Sequence, residues 1–225
     1  MSPGAHHDLR HIATTSVQVV TQPLSTAAPS GAHTSPLDAV GRTLLATASR
    51  LLTEEGAGAL TVRRIAGDSG MSTMNVYSRF GGKHGVVEQL FLEGFGMLAA
   101  AMSTVPTTDD PVADLTASGL RYRAFALQNP TLYSVMFEKA VPDYEPGDAA
   151  LASGLATLQQ LAERIARCIA AGRFRAGDPL HLAGVVWSTC HGAVSLELKQ
   201  KRHLPLDWEA VFRDSCALLV RGLAA

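Results

Sequence analysis

Strand signals are nearly absent from this 225-residue chain: no sustained alternation of β-branched and polar residues runs through it. An extended sheet is thereby excluded and an all-α protein is predicted. No uninterrupted apolar run approaches the ~18 residues a bilayer span requires. The first residues also lack a basic stretch followed by an apolar core and a cleavage site. A soluble, cytoplasmic protein with no membrane partner is therefore expected. Cysteines are few, odd in number and far apart: Cys168, Cys190 and Cys216. That pattern excludes a disulfide framework and suits a reduced compartment. Each cysteine reads as a small buried hydrophobe, with a redox-sensing role left open for one of them. Catalytic signatures are missing too: there is no Gly-rich phosphate loop, no paired set of metal ligands and no hydrolase elbow. His6, His7, His11 and His33 have no metal-ligand spacing. Cys190 and His191 are adjacent, so on a helix they point ~100° apart and make a poor nucleophile–base pair. No catalytic residue, metal or cofactor is expected, and the chain is not read as an enzyme.

Net charge is close to zero, with 19 basic and 20 acidic residues, but it is unevenly spread. Residues 61–83, TVRRIAGDSGMSTMNVYSRFGGK, hold four bases (Arg63, Arg64, Arg79, Lys83) and one acid (Asp68). A local basic face attracts phosphate whatever the global balance. The same stretch reads as two short helices across a glycine turn. Thr61 is placed to cap the first helix. Ile65 and Ala66 form its inner side, and Ala66 is small enough for a second helix to cross closely. Gly70 supplies the positive φ of a tight turn, and Met71 anchors that turn. Ser72 is placed to cap the second helix, with Val76 buried against the first. Ser72, Thr73, Met74, Asn75 and Tyr77 then lie at the helix start, the end that enters the major groove in a helix-turn-helix. Asn75 can pair bidentately with adenine, and Met74 can touch a thymine methyl.

Tyr77, Phe80, Gly81, Gly82 and Lys83 resemble the Y-x-x-F-x-x-K run of the TetR family of transcriptional regulators. The resemblance extends back through Glu55–Gly56, Leu60–Thr61 and Ile65–Ala66, and covers about residues 37–92. It implies that Tyr77 and Lys83 contact phosphates, that Phe80 is core, and that Thr61 and Arg64 meet the DNA backbone. Thr73, Met74 and Asn75 become the base-edge candidates. Met74 and Asn75 depart from the small residues or threonine usual there, and Arg79 stands where histidine is frequent. The operator sequence therefore does not carry over from relatives.

Around this motif the chain divides into three parts. Residues 1–34 are rich in Ser, Thr, Ala and Pro and aperiodic, and read as a flexible arm. A DNA-binding domain is expected over 35–82, and a ligand-sensing and dimerisation domain over 83–225. The first helix is predicted from about Pro36 to Glu55, capped by Ser35, with Val40, Leu44, Ala48, Leu51 and Leu52 as its stripe. A long fourth helix is predicted over about 82–103, with Gly94 and Gly96 either softening it or admitting a close neighbour. Further helices are predicted over about 111–128, around Leu132–Phe137, and over about 148–171, 179–200 and 207–223, with KAVPDYEPG at 139–147 as a loop.

In the second half, GRF at 172–174, Asp178, Trp187, His191 and Gly192 resemble the C-terminal domain of the TetR branch named for its Trp-His-Gly residues. That likeness implies an all-α body that dimerises through its last two helices and encloses a pocket. Pattern alone also suggests a dimer: Leu182, Val185, Val186, Thr189, Ala193 and Leu196 recur at helical spacing, as do Trp208, Val211, Phe212, Ser215 and Leu219. Trp187 and His191 share a helix face. They read either as ligand contacts or as core, with His191 on a backbone carbonyl. Phe95, Leu98, Met102, Tyr122, Phe125, Tyr133, Met136 and Phe137 are the other pocket candidates, and they suggest an apolar or aromatic effector. The expected function is a homodimeric repressor, released from a pseudo-palindromic double-stranded operator by a small effector. An architectural DNA-binding protein without an effector is the alternative, and a cavity-free core would mark it.

Overall fold

Three of the nine helices among the described residues, Leu37–Ala225, form the helix-turn-helix end of this computed structural model. Helix α1 spans Ala39–Glu55, α2 Val62–Asp68 and α3 Thr73–Phe80, with a 3-10 turn at Ala57–Ala59. The expected arm over 1–34 lies outside the described residues. Helix α1 begins three residues later than predicted. Asp38 is extended and caps the helix, its Oδ1 accepting the Gly41 amide at 2.7 Å; the expected cap Ser35 lies outside the described residues. Leu44, Ala48 and Leu51 of α1 are fully buried, as are Ile65 of α2 and Val76 of α3.

Helix α4, Lys83–Ser103, leaves this end and continues into the body. It packs on α1 and α3 near its start and on α5, α6 and α7 further along. An 18-residue window of α4 has a mean hydropathy of 1.3, so by length and composition alone it could cross a membrane. No uninterrupted apolar run of that length exists in it, because Glu88, Gln89 and Glu93 break the sequence. Charged and polar residues interrupt the apolar run without lowering its average enough. In the fold, its residues Val86, Val87, Leu90, Phe91, Phe95 and Leu98 are buried against protein.

The body adds α5 (Pro111–Gln128), α6 (Pro130–Phe137), α7 (Asp148–Ala170), α8 (Pro179–Gln200) and α9 (Trp208–Leu223). Each start has its physical reason. Proline occupies the first turn of α5, α6 and α8, where its missing N–H is no loss. Asp110, Asp178 and Asp207 cap α5, α8 and α9 through their carboxylates. Gly172, at φ +66°, ends α7 in the left-handed conformation that favours glycine. The two glycines of α4 differ. A Cβ on Gly94 would lie 2.5 Å from Met136 Sδ, so that glycine admits α6, whereas Gly96 faces open space.

Candidate DNA-reading face and effector cavity

The turn between α2 and α3 is built as the sequence suggests. Thr61 Oγ1 accepts the Arg64 amide at 3.2 Å. Gly70 adopts φ +67°, and the Met71 amide reaches back to the Ala66 carbonyl at 2.8 Å, closing α2. After α3, Gly81 sits at φ +71° and Gly82 precedes Lys83, the first residue of α4. Phe80 is buried, 8% exposed. Gly85 is the tightest point of this end: a Cβ there would stand 1.7 Å from the Phe80 carbonyl oxygen.

Met74 and Tyr77 are 70% and 54% exposed, so two large apolar side chains stand out into solvent at the tip of α3. Thr73 is exposed beside them. Thr61, Arg63, Tyr77 and Lys83 line one shallow depression, with Pro142 and Asp143 on its far side. Three sequence candidates for phosphate contact are thus brought together. Arg63, one of the four bases of the segment though not among the residues expected to contact DNA, joins them. Among the described residues Arg63 and Lys83 form no ion pair, while the other two arginines of the motif are engaged. Arg64 makes a two-pronged contact with Glu55, at 3.1 and 2.7 Å, and a third with Asp68 at 3.3 Å. Arg79 clasps Asp38 through Nε at 3.0 Å and Nη2 at 2.7 Å. Hydrogen bonding to Arg79 and then to the Gly41 amide lowers the Asp38 carboxyl to about 2. The sequence left this pairing unread because Asp38 and Arg79 are 41 residues apart.

Asn75 and Ser72 also differ from expectation. Ser72 occupies the cap position but its hydroxyl caps no amide. It accepts Asn75 Nδ2 at 3.2 Å instead, and Asn75 Oδ1 accepts Arg79 Nη1 at 3.0 Å. Both ends of the Asn75 amide are therefore used within the protein, and a chain of polar contacts runs Asp38–Arg79–Asn75–Ser72. Each contact leaves one Nδ2 hydrogen and one Oδ1 lone pair unused, while fixing the orientation of the amide.

In the body, helices α4 to α9 surround a cavity of about 520 Å³. Its lining includes seven of the ten sequence candidates: Phe95, Leu98, Met102, Tyr122, Met136, Phe137 and Trp187. Phe125, Tyr133 and His191 stand behind that lining. Phe125 is 4% exposed and packs in the core. The Tyr133 hydroxyl is hydrogen-bonded to His191 Nδ1 at 2.7 Å and to the Tyr122 hydroxyl at 3.1 Å. Burial is the first cause of all three shifts here. It raises Tyr122 to about 12, raises Tyr133, and lowers His191, keeping the phenols protonated and the imidazole neutral. His191 thus finds a phenol, not a backbone carbonyl. Trp187, 37% exposed, sits on the cavity wall between Phe137 and solvent.

Several lining residues went unread. Leu151, Leu155, Leu158 and Leu161 recur at helical spacing along α7, and their role as one wall shows only in the fold. Leu151 and Leu155 are 55% and 50% exposed, so this wall is half open. Arg164 follows on the same helix. Its guanidinium donates to the carbonyls of Val105 at 2.9 Å and Met102 at 3.4 Å, pinning the end of α4 to α7 at the cavity edge. Arg167 and Asp114 pair at 2.8 Å beside it.

The predicted dimer residues divide between two sides. Val186, Trp208 and Phe212 point inward and are at most 7% exposed, and Leu182 is 5% exposed. They belong to the protomer core, because α8 and α9 must also pack on each other and on α5. Val185 and Leu196 face outward, at 37% and 55% exposed, while Thr189, Ala193, Val211, Ser215 and Leu219 are half-buried. Leu180 and Leu218, at 43% and 62%, extend the exposed apolar surface beyond the sequence set.

Comparison with known proteins agrees with this architecture. Residues 44–90 match the family model described as bacterial regulatory proteins, tetR family, and residues 115–219 match the tetracyclin repressor-like C-terminal domain. No curated protein matches the chain. Among solved structures, a protein of unknown function from Rhodococcus sp. RHA1 aligns with a TM-score of 0.73 at 24% identity, covering 86% of this chain and all of its own. The TetR family transcriptional regulator PfmR from Thermus thermophilus aligns at 0.65 and 23%, covering 81% and 99%. The fatty acid degradation regulator FadR from Bacillus halodurans aligns at 0.69 and 17%, covering 84% and 98%.

Proposed function

Since the chain belongs to the TetR family of DNA-binding transcriptional regulators, we propose that it is a cytoplasmic, homodimeric repressor whose operator binding is relieved by a small apolar or aromatic effector. One observation carries this reading: a single continuous helix touches both sites. Helix α4 starts with Lys83 in the depression shared with Thr61 and Tyr77, and its later turns supply Phe91, Phe95, Leu98 and Met102 to the cavity. A ligand that favours one setting of α4 would shift the recognition helices, by no more than its difference in affinity for the two settings. The cavity favours this reading over an effector-independent architectural protein. Its walls are mostly apolar and aromatic with few polar groups, which is the make-up of a small-molecule site.

On this reading Lys83, Tyr77, Thr61 and Arg63 hold phosphates, and Thr73 and Met74 meet base edges. Arg64 and Arg79 act first through their carboxylate partners, and Ser72, Asn75 and Arg79 hold the reading surface in shape. The outward Leu180, Val185, Leu196 and Leu218 form the face that a second protomer covers in a four-helix bundle. Two recognition helices would then lie ~34–36 Å apart, or a multiple of that, on a pseudo-palindrome.

Fluorescence anisotropy tests the proposal. Duplexes tiling the region upstream of the protein's own gene are titrated at one fixed salt concentration against a scrambled duplex. The expected result is selective binding by two protomers per site, weakened by at least one member of a panel of apolar and aromatic small molecules. Equal, weak binding to every duplex would overturn the operator reading. Selective binding that no apolar compound alters would favour the architectural alternative.

A further inference from the structure

Two thiols from different helices meet on the cavity wall. Cys190 of α8 and Cys216 of α9 are 26 residues apart in sequence, yet their sulfurs lie 3.9 Å from each other and both line the cavity. Both are free. Cys190 is 6% exposed and Cys216 half-buried. Helix α5 passes beneath them at Gly119, where a Cβ would come 3.7 Å from one sulfur and 3.9 Å from the other. Those are ordinary van der Waals distances, so α5 floors the pair without pressing on it. Cys168, the third cysteine, has a different setting: it is fully buried, away from the cavity, with its thiol on the Pro111 carbonyl at 3.3 Å.

We infer that Cys190 and Cys216 form an oxidisable dithiol site, reached through the cavity, that reduces a small apolar hydroperoxide and closes to a reversible disulfide between α8 and α9. The sulfurs must approach from 3.9 Å to about 2.05 Å. The first step is attack by the Cys216 thiolate on the outer peroxide oxygen. An S–O bond forms, the O–O bond breaks, and the departing alkoxide takes up the proton lost from Cys216 to leave as an alcohol. In the second step the Cys190 sulfur attacks the sulfenic sulfur of Cys216. The S–S bond forms, the S–O bond breaks, and hydroxide leaves with the Cys190 proton as water. Two thiols give up two electrons and two protons, and the hydroperoxide becomes alcohol and water.

The order of the steps follows from burial, since Cys190 is 6% exposed and Cys216 half-buried. When Cys190 keeps its proton and donates it towards Cys216, the negative charge is favoured on Cys216 and disfavoured on the more deeply buried Cys190. The class of oxidant follows from the walls. Cys190 is buried from every side but the cavity, which is lined near the pair by Leu115, Tyr122, Val186 and Leu219. An apolar substituent on the peroxide is therefore favoured over a bare hydrogen peroxide molecule. The bridge would tie together two helices that both border the cavity, so oxidation would alter the same walls an effector meets.

The test uses the intact protein. It is reduced, desalted and treated with equimolar cumene hydroperoxide or hydrogen peroxide, quenched by alkylation and mapped by mass spectrometry without reduction. The expected product is one linked peptide pair joining Cys190 and Cys216 within a chain, two hydrogens lighter than the dithiol, with Cys168 unchanged and the thiols restored by dithiothreitol. Cumene hydroperoxide should act faster than hydrogen peroxide. With Cys190→Ser the reaction should halt at a sulfenic acid on Cys216, trapped by dimedone, and with Cys216→Ser peroxide consumption should fall by on the order of tenfold. Both thiols alkylated separately after treatment, or a link only between chains, would overturn the dithiol site. An equal or faster rate with hydrogen peroxide would overturn the apolar oxidant. None of these readouts depends on operator binding, so the site and the repressor reading fail separately.

Discussion

The charge pairs of the helix-turn-helix end lie in the open, whereas the body adds two enclosed pairs to its surface ones. Arg50, Arg64 and Arg79 meet Glu54, Glu55, Asp68 and Asp38 on the surface. In the body, Glu197 is 2% exposed and takes Arg123 at two points, each 2.8 Å long, with the guanidinium over the Phe212 ring. Asp114, 3% exposed, takes Arg167 and two groups of Thr108. Surface pairs contribute little stability, so at the DNA end their consequence is pose: they decide which cations stay available to phosphate. Enclosed pairs are costly to break because the partner is left charged and dry. The two ends of α4 thus join a surface that can exchange its partners to a body that holds its own.

The sharpest way to break this contrast is at Glu197. Glu197→Ala removes both short contacts of Arg123 and leaves it only the exposed Glu209, 3.8 Å away, and the expected loss is about 3 kcal/mol, read by urea denaturation. A loss below about 1 kcal/mol, the range of exposed pairs, would erase the distinction between the two regions. Next come two glycines of the same helix. Gly85→Ala drives a methyl into the Phe80 carbonyl and should cost about 1–3 kcal/mol or more. Gly96→Ala meets nothing within 4 Å and should stabilise by about 0.4–1 kcal/mol. Thermal melts of the two variants should therefore move in opposite directions, and a shared direction would show that α4 relaxes more freely than its packing implies.

A smaller effect separates pose from stability. Asp38→Asn weakens the hold on Arg79, which in turn steadies Asn75. The melt should stay near that of the parent protein while the preferred operator bases change. Lys83→Ala, by contrast, should weaken all duplexes alike and reduce the salt slope by about one phosphate. If Asp38→Asn leaves every base preference intact, the chain from Asp38 to Ser72 has no part in reading.

These contrasts also explain what could be read from the sequence. The helix-turn-helix is contiguous: Thr61, Gly70, Val76 and Phe80 fall at fixed offsets and fold as their spacing says. Helix ends in the body were legible for the same local reason, through Asp110–Pro111 and Asp178–Pro179. What stayed hidden depends on distant neighbours. Nothing near Arg79 in sequence points to Asp38, nothing near Cys190 points to Cys216, and Val186, Trp208 and Phe212 carry the same helical spacing whether they face a partner or their own core. Apolar spacing says that a face is covered and leaves open what covers it.

The least perturbing comparison is by pH, and it places both regions of the body on one curve. Hydrogen bonds from Arg167 and then Thr108 hold Asp114 at about 2, below its ordinary 3.8. The unfolded chain therefore takes up that proton first. Stability from Asp114 is fully present above about 3.8 and is lost as pH falls towards 2. His191 is lowered from 6.5 by burial, so its neutral form is the folded one. The unfolded chain binds this proton first as well, and stability begins to fall as pH drops below 6.5. The two phases should appear in sequence on acidification. His191→Asn supplies an acceptor for the Tyr133 hydroxyl without a titrating ring, so it should abolish the phase beginning near 6.5 and leave the Asp114 phase in place. Should the upper phase survive that substitution, the group behind it is not the imidazole, and the neutral Tyr122–Tyr133–His191 chain behind the cavity wall would have to be redrawn with a charged histidine in it.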